Sequence, residues 1–473
     1  MSISAATLVA RYLRANDYSG TLAAFLNEAG LPLDTGANAT DGLTIEKILE
    51  EKKTYDLSVN FEKLGVGDEE TGWRKPSPST PTVVTTLPSN SNILHATVHQ
   101  LALPEASSPT SFLLSSTADR RLNVIGPDFE SFDVLRSYTH LQDAPILDCV
   151  VLDAHHILIS SMSGRIKLFD LNSEAVLDER RDHTKYVVRL ASWQRAGETY
   201  VASAGWDTKV FVYHMGVGEN RDLKIGEPIA TLELPSNPEA LLFVEHPESS
   251  RPLLLLSRRD STFLYYYAVP RPEDRSRELV LIGKQNLAPH SNAWLAFTPA
   301  ALAICPTDTS ILAVSTSAVP HMKLIIVRLL LPPYVDPSGV SGERSPESSL
   351  GLQEAHTTQA AQARAALVVQ DREEAAILVQ SNTLAPQTQY STPALAWRPD
   401  GSGVWVNSDD GVIRGIEVST GKIIVTLEGH QAGSKIRCLW AGRLRRPGAD
   451  GQEKEEEWVV SGGFDRKLIV WKP

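Results

Sequence analysis

The chain has 473 residues, enough for about three domain equivalents, or for one large repeat array with an appendage. Apolar residues make up 42% and charged residues 22%, which excludes a fully disordered or fibrous chain. Lys and Arg number 45 against 57 Asp and Glu, and the resulting net charge of −12 disfavours direct binding to nucleic acid or to an anionic membrane.

The first residues, Met1 to Ala6, carry no basic region and no long apolar run, so no secretory signal is expected. Residues 4 to 64 read as helical and are expected to form a small N-terminal domain, 1–64. Leu8, Val9, Tyr12 and Leu13, then Leu22, Phe25 and Leu26, recur at helical spacing. Ser19 is expected to cap the second helix, and Gly30 followed by Pro32 to stop it. A further helix is expected from Thr44 to Leu64. Residues 65–80, with Gly65, Gly67, Gly72, Pro76 and Pro78, read as a flexible linker.

From residue 81 to 473 the texture changes to short runs of Val, Ile, Leu, Tyr and Phe, punctuated by Gly, Asp, Asn and Pro. An ending of the type Ser, then Asp four residues on, then an aromatic six residues later recurs along this region. The clearest copies run from Ser461 through Asp465 to Trp471, and from Ser203 through Asp207 to Tyr213. Ser115 to Ile125 and Ser163 to Phe169 follow, with weaker copies at Asp260 to Tyr266, His321 to Val327 and Asp410 to Ile416. Seven units result: 93–133, 134–175, 176–222, 223–276, 277–364, 365–419 and 420–473. A period of about 40 to 45 residues made of strands indicates a propeller.

This pattern resembles the WD-repeat family, and the resemblance implies a mainly β fold, a seven-bladed β-propeller. The two best units also carry a histidine ahead of the ending, Asp182-His183 and Gly429-His430. In that family such a histidine hydrogen-bonds the Asp of the tight turn. The resemblance therefore implies a buried network in which Asp465 pairs with His430, Ser461 and Trp471. Asp207 would pair with His183 and Ser203, Tyr213 standing where the Trp would be. A buried turn carboxylate needs such donors.

The last run ends at Trp471, so the final blade lacks an outer strand; the β-branched run Pro81 to Leu87 can supply it and close the ring. Residues 331–364 are rich in Pro, Ser, Gln and Ala and read as a mobile insertion. Residues 443–457 read as a charged, solvated loop within the final blade.

The N-terminal helical pattern resembles the LisH motif, a lissencephaly-homology dimerisation element, through Leu8, Tyr12, Leu13, Tyr18, Thr21, Phe25, Glu28 and Leu31. The resemblance implies that two short helices pair with those of a second chain. Elementary energetics agrees, because two helices of about ten residues bury little apolar surface alone. The expected dimerisation residues are Leu8, Tyr12, Leu13, Tyr18, Leu22 and Phe25.

The sequence carries none of the familiar catalytic or metal-binding patterns. There is no nucleophile elbow, no His-Glu-x-x-His helix and no paired Cys-x-x-Cys. Cys149, Cys305 and Cys438 lie far apart, which fits a reducing compartment and offers no zinc site. The longest apolar runs fall short of the ~20 residues of a membrane-spanning helix. No cofactor, metal or enzymatic activity is expected, and the expected location is cytoplasm or nucleus. The residues just before the turn Asp, namely Ala118, Trp206, Arg259, Asp409 and Phe464, are expected to surround one opening of the ring, with Tyr186 and Lys435 beside them. Tyr186, Trp206, Arg259, Lys435 and Phe464 are the candidate partner-binding residues, favouring an acidic or phosphorylated peptide with an apolar anchor. The expectation is a dimeric, non-enzymatic scaffold binding proteins or peptides within a larger complex; the alternative is a substrate receptor of a ubiquitin ligase. Other scaffolds of this build serve corepressor, RNA-processing and microtubule-motor assemblies, and fold does not choose among them.

Overall fold

The computed structural model describes residues 5–37, 44–46, 72–104, 109–126, 130–217, 223–274, 277–289, 297–333, 359–447 and 453–473. The chain divides into two compact units, Met1–Glu69 and Glu70–Pro473.

In the first unit, helices α1 (Ala5–Ala15) and α2 (Ser19–Glu28) form a hairpin. Ala10, Leu13, Leu22 and Leu26 are buried between them, with Val9, Tyr12, Phe25 and Leu31 packed alongside. Gly30 takes a left-handed φ of 62° and the Leu31 N–H reaches back to the Leu26 carbonyl at 2.9 Å. That closure stops α2 where the glycine predicts. The cap differs from expectation. Asp17, at φ 56°, turns the chain so sharply that Tyr18 occupies the cap position, without a side-chain cap bond, and Ser19 is already helical. Beyond Glu46, the helix expected over Thr44–Leu64 lies outside the described residues.

The second unit contains seven four-stranded antiparallel sheets. Blade one is Ile93–Leu101, Thr110–Thr117, Leu122–Ile125 and Val134–Tyr138. Blade two is Ile146–Val151, His156–Ser161, Ile166–Asp170 and Ala175–Arg180. Blade three is Val187–Arg195, Glu198–Gly205, Lys209–His214 and Pro228–Glu233. Blade four is Pro238–Glu245, Pro252–Arg258, Phe263–Ala268 and Val280–Asn286. Blade five is Thr298–Ile304, Ile311–Ser317, His321–Arg328 and Ile377–Pro386. Blade six is Leu395–Trp397, Gly403–Val406, Val412–Glu417 and Ile423–Glu428. Blade seven takes Ile436–Pro447, Glu453–Gly463 and Leu468–Lys472 from the C-terminus and its outer strand, Thr80–Val83, from the other end of the second unit. Thr80 faces Lys472 and Val83 faces Ile469, so the ring is closed by paired strands rather than left with an edge. The sequence units are displaced from the blades by one strand: unit 134–175, for example, opens with the outer strand of blade one.

Seven apolar layers form the core, one between each pair of neighbouring blades. Strand alternation builds them. On the second strand of blade one, Leu113 joins the layer against blade seven, while Phe112 and Leu114 join the layer against blade two. Both faces of such a strand are buried, which is why these runs read as continuous apolar segments.

Three segments depart from the sequence reading. Most of residues 443–457 is strand: Arg443 faces Glu457, Leu444 faces Glu456 and Arg445 faces Glu455, so a basic strand end lies against an acidic one. The Ala- and Gln-rich stretch before blade five's last strand forms helix α3 (Gln359–Ala376), with propensity rather than an apolar stripe behind it. Buried Glu373 ties it to blade four by accepting the Asn286 N–H at 2.8 Å. Finally, Trp73, in the stretch read as linker, packs on blade six. Its ring lies edge-on to Trp405 at 5.1 Å, the Arg398 guanidinium lies 4.3 Å from its centre, and its backbone N–H donates to the Glu417 carboxylate at 2.7 Å.

Candidate functional site

The second and third strands of each blade meet in a tight turn, and in five blades that turn is tied by one repeated bond to the loop leading into the innermost strand. Ala118 bonds Asn92, Met162 bonds Pro145, Trp206 bonds Tyr186, Arg259 bonds Asn237 and Phe464 bonds Lys435, each through N–H to carbonyl at 2.8–3.1 Å. The turns and lead-in loops therefore form one face of the ring.

Beneath the face, blades three and seven carry a relay. In blade seven the Trp471 indole N–H donates to Ser461 Oγ at 2.9 Å, and Ser461 meets His430 Nε2 at 2.9 Å. His430 Nδ1 then lies 3.0 Å from Asp465. This chain of donors fixes the imidazole as the Nδ1–H tautomer. Blade three repeats it: Asp207 to His183 at 2.9 Å, His183 to Ser203 at 2.9 Å. Sequence reading paired the Asp directly with Ser and Trp; instead, His bridges them, because the serine and tryptophan lie back along the two strands that the turn joins, several residues from the Asp. Tyr213 sends its hydroxyl to Asp182 at 3.0 Å, which Arg180 also holds. Burial alone would raise the Asp465 carboxyl, but the Gln431 and Lys467 N–H groups and His430 hold it below the usual range. Asp207 is lowered in the same way, its burial outweighed by His183 and the Thr184 and Lys209 N–H groups. Burial pushes His430 down, with Asp465 opposing. Blades one and six solve the same problem differently: Arg121 takes Asp119 at 2.8 Å and Arg414 takes Asp410 at 2.7 Å.

Residues 103–472 match the family model described as UCP007778, beta-propeller domain, and residues 4–35 match that described as UCP007778, LisH domain. The chain belongs to the UCP007778 family. No curated protein matches it.

On the face of the UCP007778 propeller, Tyr186, Trp206 and Phe464 are each about two-fifths exposed, at 40%, 42% and 41%. The Tyr186 and Trp206 rings lie 5.4 Å apart and make one aromatic platform on blade three. The two cations expected beside them are already engaged. Arg259 is paired with Glu239 at 2.7 Å, and Lys435 with Asp409 at 3.0 Å and Thr388 at 2.9 Å. This removes the reason for expecting an acidic peptide at these two positions. One residue was missed. Tyr390, in the loop leading into blade six, is 79% exposed and sits two residues from Thr388, the partner of Lys435. It belongs to no repeat ending, so only its exposure reveals it.

In the LisH hairpin, Leu13 and Leu22 are buried between the helices, whereas Leu8, Tyr12 and Phe25 are half-buried and Tyr18 is exposed. Tyr12 and Tyr18 lie 6.4 Å apart. Among the described residues no cluster of metal-ligating side chains is present, and no helix is long and apolar enough to cross a membrane.

Proposed function

We propose that this protein is a non-catalytic, dimeric interaction scaffold: the LisH hairpin joins two chains, and the propeller face formed by the turns and lead-in loops docks a protein partner. One observation carries the reading of the face. Among the described residues of the propeller, every exposed aromatic side chain, Tyr186, Trp206, Tyr390 and Phe464, lies on those turns and loops. Large rigid rings exposed together on one face are the groups that anchor protein interfaces. With Arg259 and Lys435 neutralised by Glu239 and Asp409, the anchors are apolar, and the docked surface should be apolar with a polar rim. Half-exposed Leu8, Tyr12 and Phe25 with exposed Tyr18 support the hairpin's share, since they form the apolar surface that it does not bury itself.

The test is affinity purification of the full chain from cell extract beside a Tyr186→Ser/Trp206→Ala variant. These side chains are exposed enough for the variant to fold, and losing an anchor such as Trp206 should weaken docking by roughly 2 kcal/mol or more. Recovery of the same proteins in the same amounts would move the docking surface away from blade three.

A further inference from the structure

The axis of the ring holds a cavity of about 220 Å³ that all seven innermost strands line near their starts. Its wall is divided by sequence. Blades seven, one, two and three contribute Arg437, His95, Asp148 and Arg189, whereas blades four to six contribute only small and aliphatic side chains such as Leu302 and Leu395. The charged side chains are aimed by a shared backbone device. Innermost strands of six blades shift register at their start, between Ile93 and His95, Ile146 and Asp148, Val187 and Arg189, Pro238 and Ala240, Pro299 and Ala301, and Ile436 and Cys438. Such a bulge re-aims the residues beside it. In blade seven the extra residue is Arg437.

The charges do not cancel one another. Asp148 is spent on His95, 3.3 Å away, and on the N–H groups of Cys149 and Leu190 at 3.0 and 2.8 Å. Arg189 donates only its Nε, to the Glu239 carbonyl at 3.0 Å, and Arg437 has no hydrogen bond or ion pair among the described residues. Burial, and then the nearby Arg189, push Arg437 down to about 10. His95 Nε2 is buried with no partner among the described residues. Two guanidinium groups facing one half-open space repel each other and leave their remaining donors to solvent, and an oxyanion between them would relieve the repulsion and take those donors.

We propose that the channel is a binding site for an oxyanion-headed ligand, a carboxylate or phosphate on a short apolar stem, with the head on Arg437 and Arg189 and the stem against Leu302 and Leu395. Cations are excluded by the same charges. The head group can arrive on a free compound or on the end of a partner chain. The site opens at the same end of the ring as the docking face, but its lining includes none of the exposed aromatics.

The experiment is calorimetric titration of the full chain at constant ionic strength. The probes are hexanoate, hexyl phosphate and inorganic phosphate, with hexanol and hexylamine as uncharged and cationic controls. A short peptide ending in leucine is added as free carboxylate and as amide. Saturable binding of the stemmed anions, or of the free-carboxylate peptide alone, is expected, tighter than inorganic phosphate and absent for hexanol, hexylamine and the amide. The first pattern assigns the site to free compounds and the second to chain ends. Arg437→Met should weaken binding roughly tenfold or more. Leu395→Gln should weaken the stemmed probes and leave inorganic phosphate unchanged. Both variants must retain the wild-type unfolding midpoint; if Arg437→Met does not, Arg437→Lys, which keeps the charge, replaces it and should show an intermediate loss. No saturable binding in any arm, or binding indifferent to both substitutions in folded protein, would overturn the site.

Discussion

His430 and Asp465 show how much a propeller blade rests on a few buried polar atoms. Replacing Asp465 with Ala removes the acceptor of the buried His430 N–H and of two backbone N–H groups in the turn and lead-in loop, and is expected to destabilise by roughly 1–3 kcal/mol. The equivalent change at Asp207 should cost a similar amount, and chemical unfolding of the two variants measures both. The relay also makes stability depend on pH. His430 is held below the ordinary histidine value of about 6.5, so as pH falls the unfolded chain takes up the proton before the folded one. Its contribution is therefore full above about pH 6.5 and is lost below. Asp465, also lowered, adds a second loss as pH falls below about 4. Urea midpoints between pH 7.5 and 5 should decline for the wild type and decline less steeply for His430→Gln; equal slopes would remove His430 as the cause.

At the scale of elements, the segment ahead of the first strand acts as a clasp. Trp73 fills the space over Gly403 and Gly415, where a Cβ would fall 2.3 and 2.4 Å from its ring. The same ring stacks on Arg398, itself buried and bonded to Glu457 of blade seven at 2.6 Å. Trp73 thus links blade six to the blade that closes the ring. Trp73→Ala should cost about 3 kcal/mol, the low end for a large aromatic because the ring is only partly buried. Gly415→Ala should displace Trp73 and Trp405 and destabilise by roughly 1–3 kcal/mol. Thermal unfolding followed by tryptophan fluorescence reads both; an unchanged midpoint in Trp73→Ala would reduce the clasp to a surface contact.

For the whole molecule, pairing two propellers would make a second docking event intramolecular and raise avidity without any new contact. On that reading, light scattering of the intact chain at micromolar concentration gives twice the chain mass, and residues 70–473 give the single mass. The cut belongs at 70, where the second unit begins, so that Trp73 keeps its place on blade six. Tyr18→Glu should also yield the single mass with the hairpin intact, because Tyr18 is exposed and outside the hairpin's own core. An intact chain of single mass would leave the propeller face as the scaffold's sole working part.

Local periodicity and spacing were enough to establish the ring, its number of blades and the helical hairpin, because strand alternation and turn chemistry act over a few residues and repeat. The pairing of Thr80–Val83 with the C-terminal strand was also legible, since a repeat array that ends one strand short needs a complement. Helix α3 and the long blade-seven hairpin were not, because one rests on propensity without an apolar stripe and the other on cross-strand charges whose partners only register reveals. The face was half legible: Trp206 and Phe464 are marked by the turn Asp that follows them, whereas Tyr390 carries no mark. The neutralisation of Arg259 and Lys435, the seat of Trp73 and the meeting of Arg437, Arg189, His95 and Asp148 at the axis belong to the tertiary structure alone. Each joins residues from different blades or strands, and closure of the ring, rather than any local pattern, decides which side chains share a space.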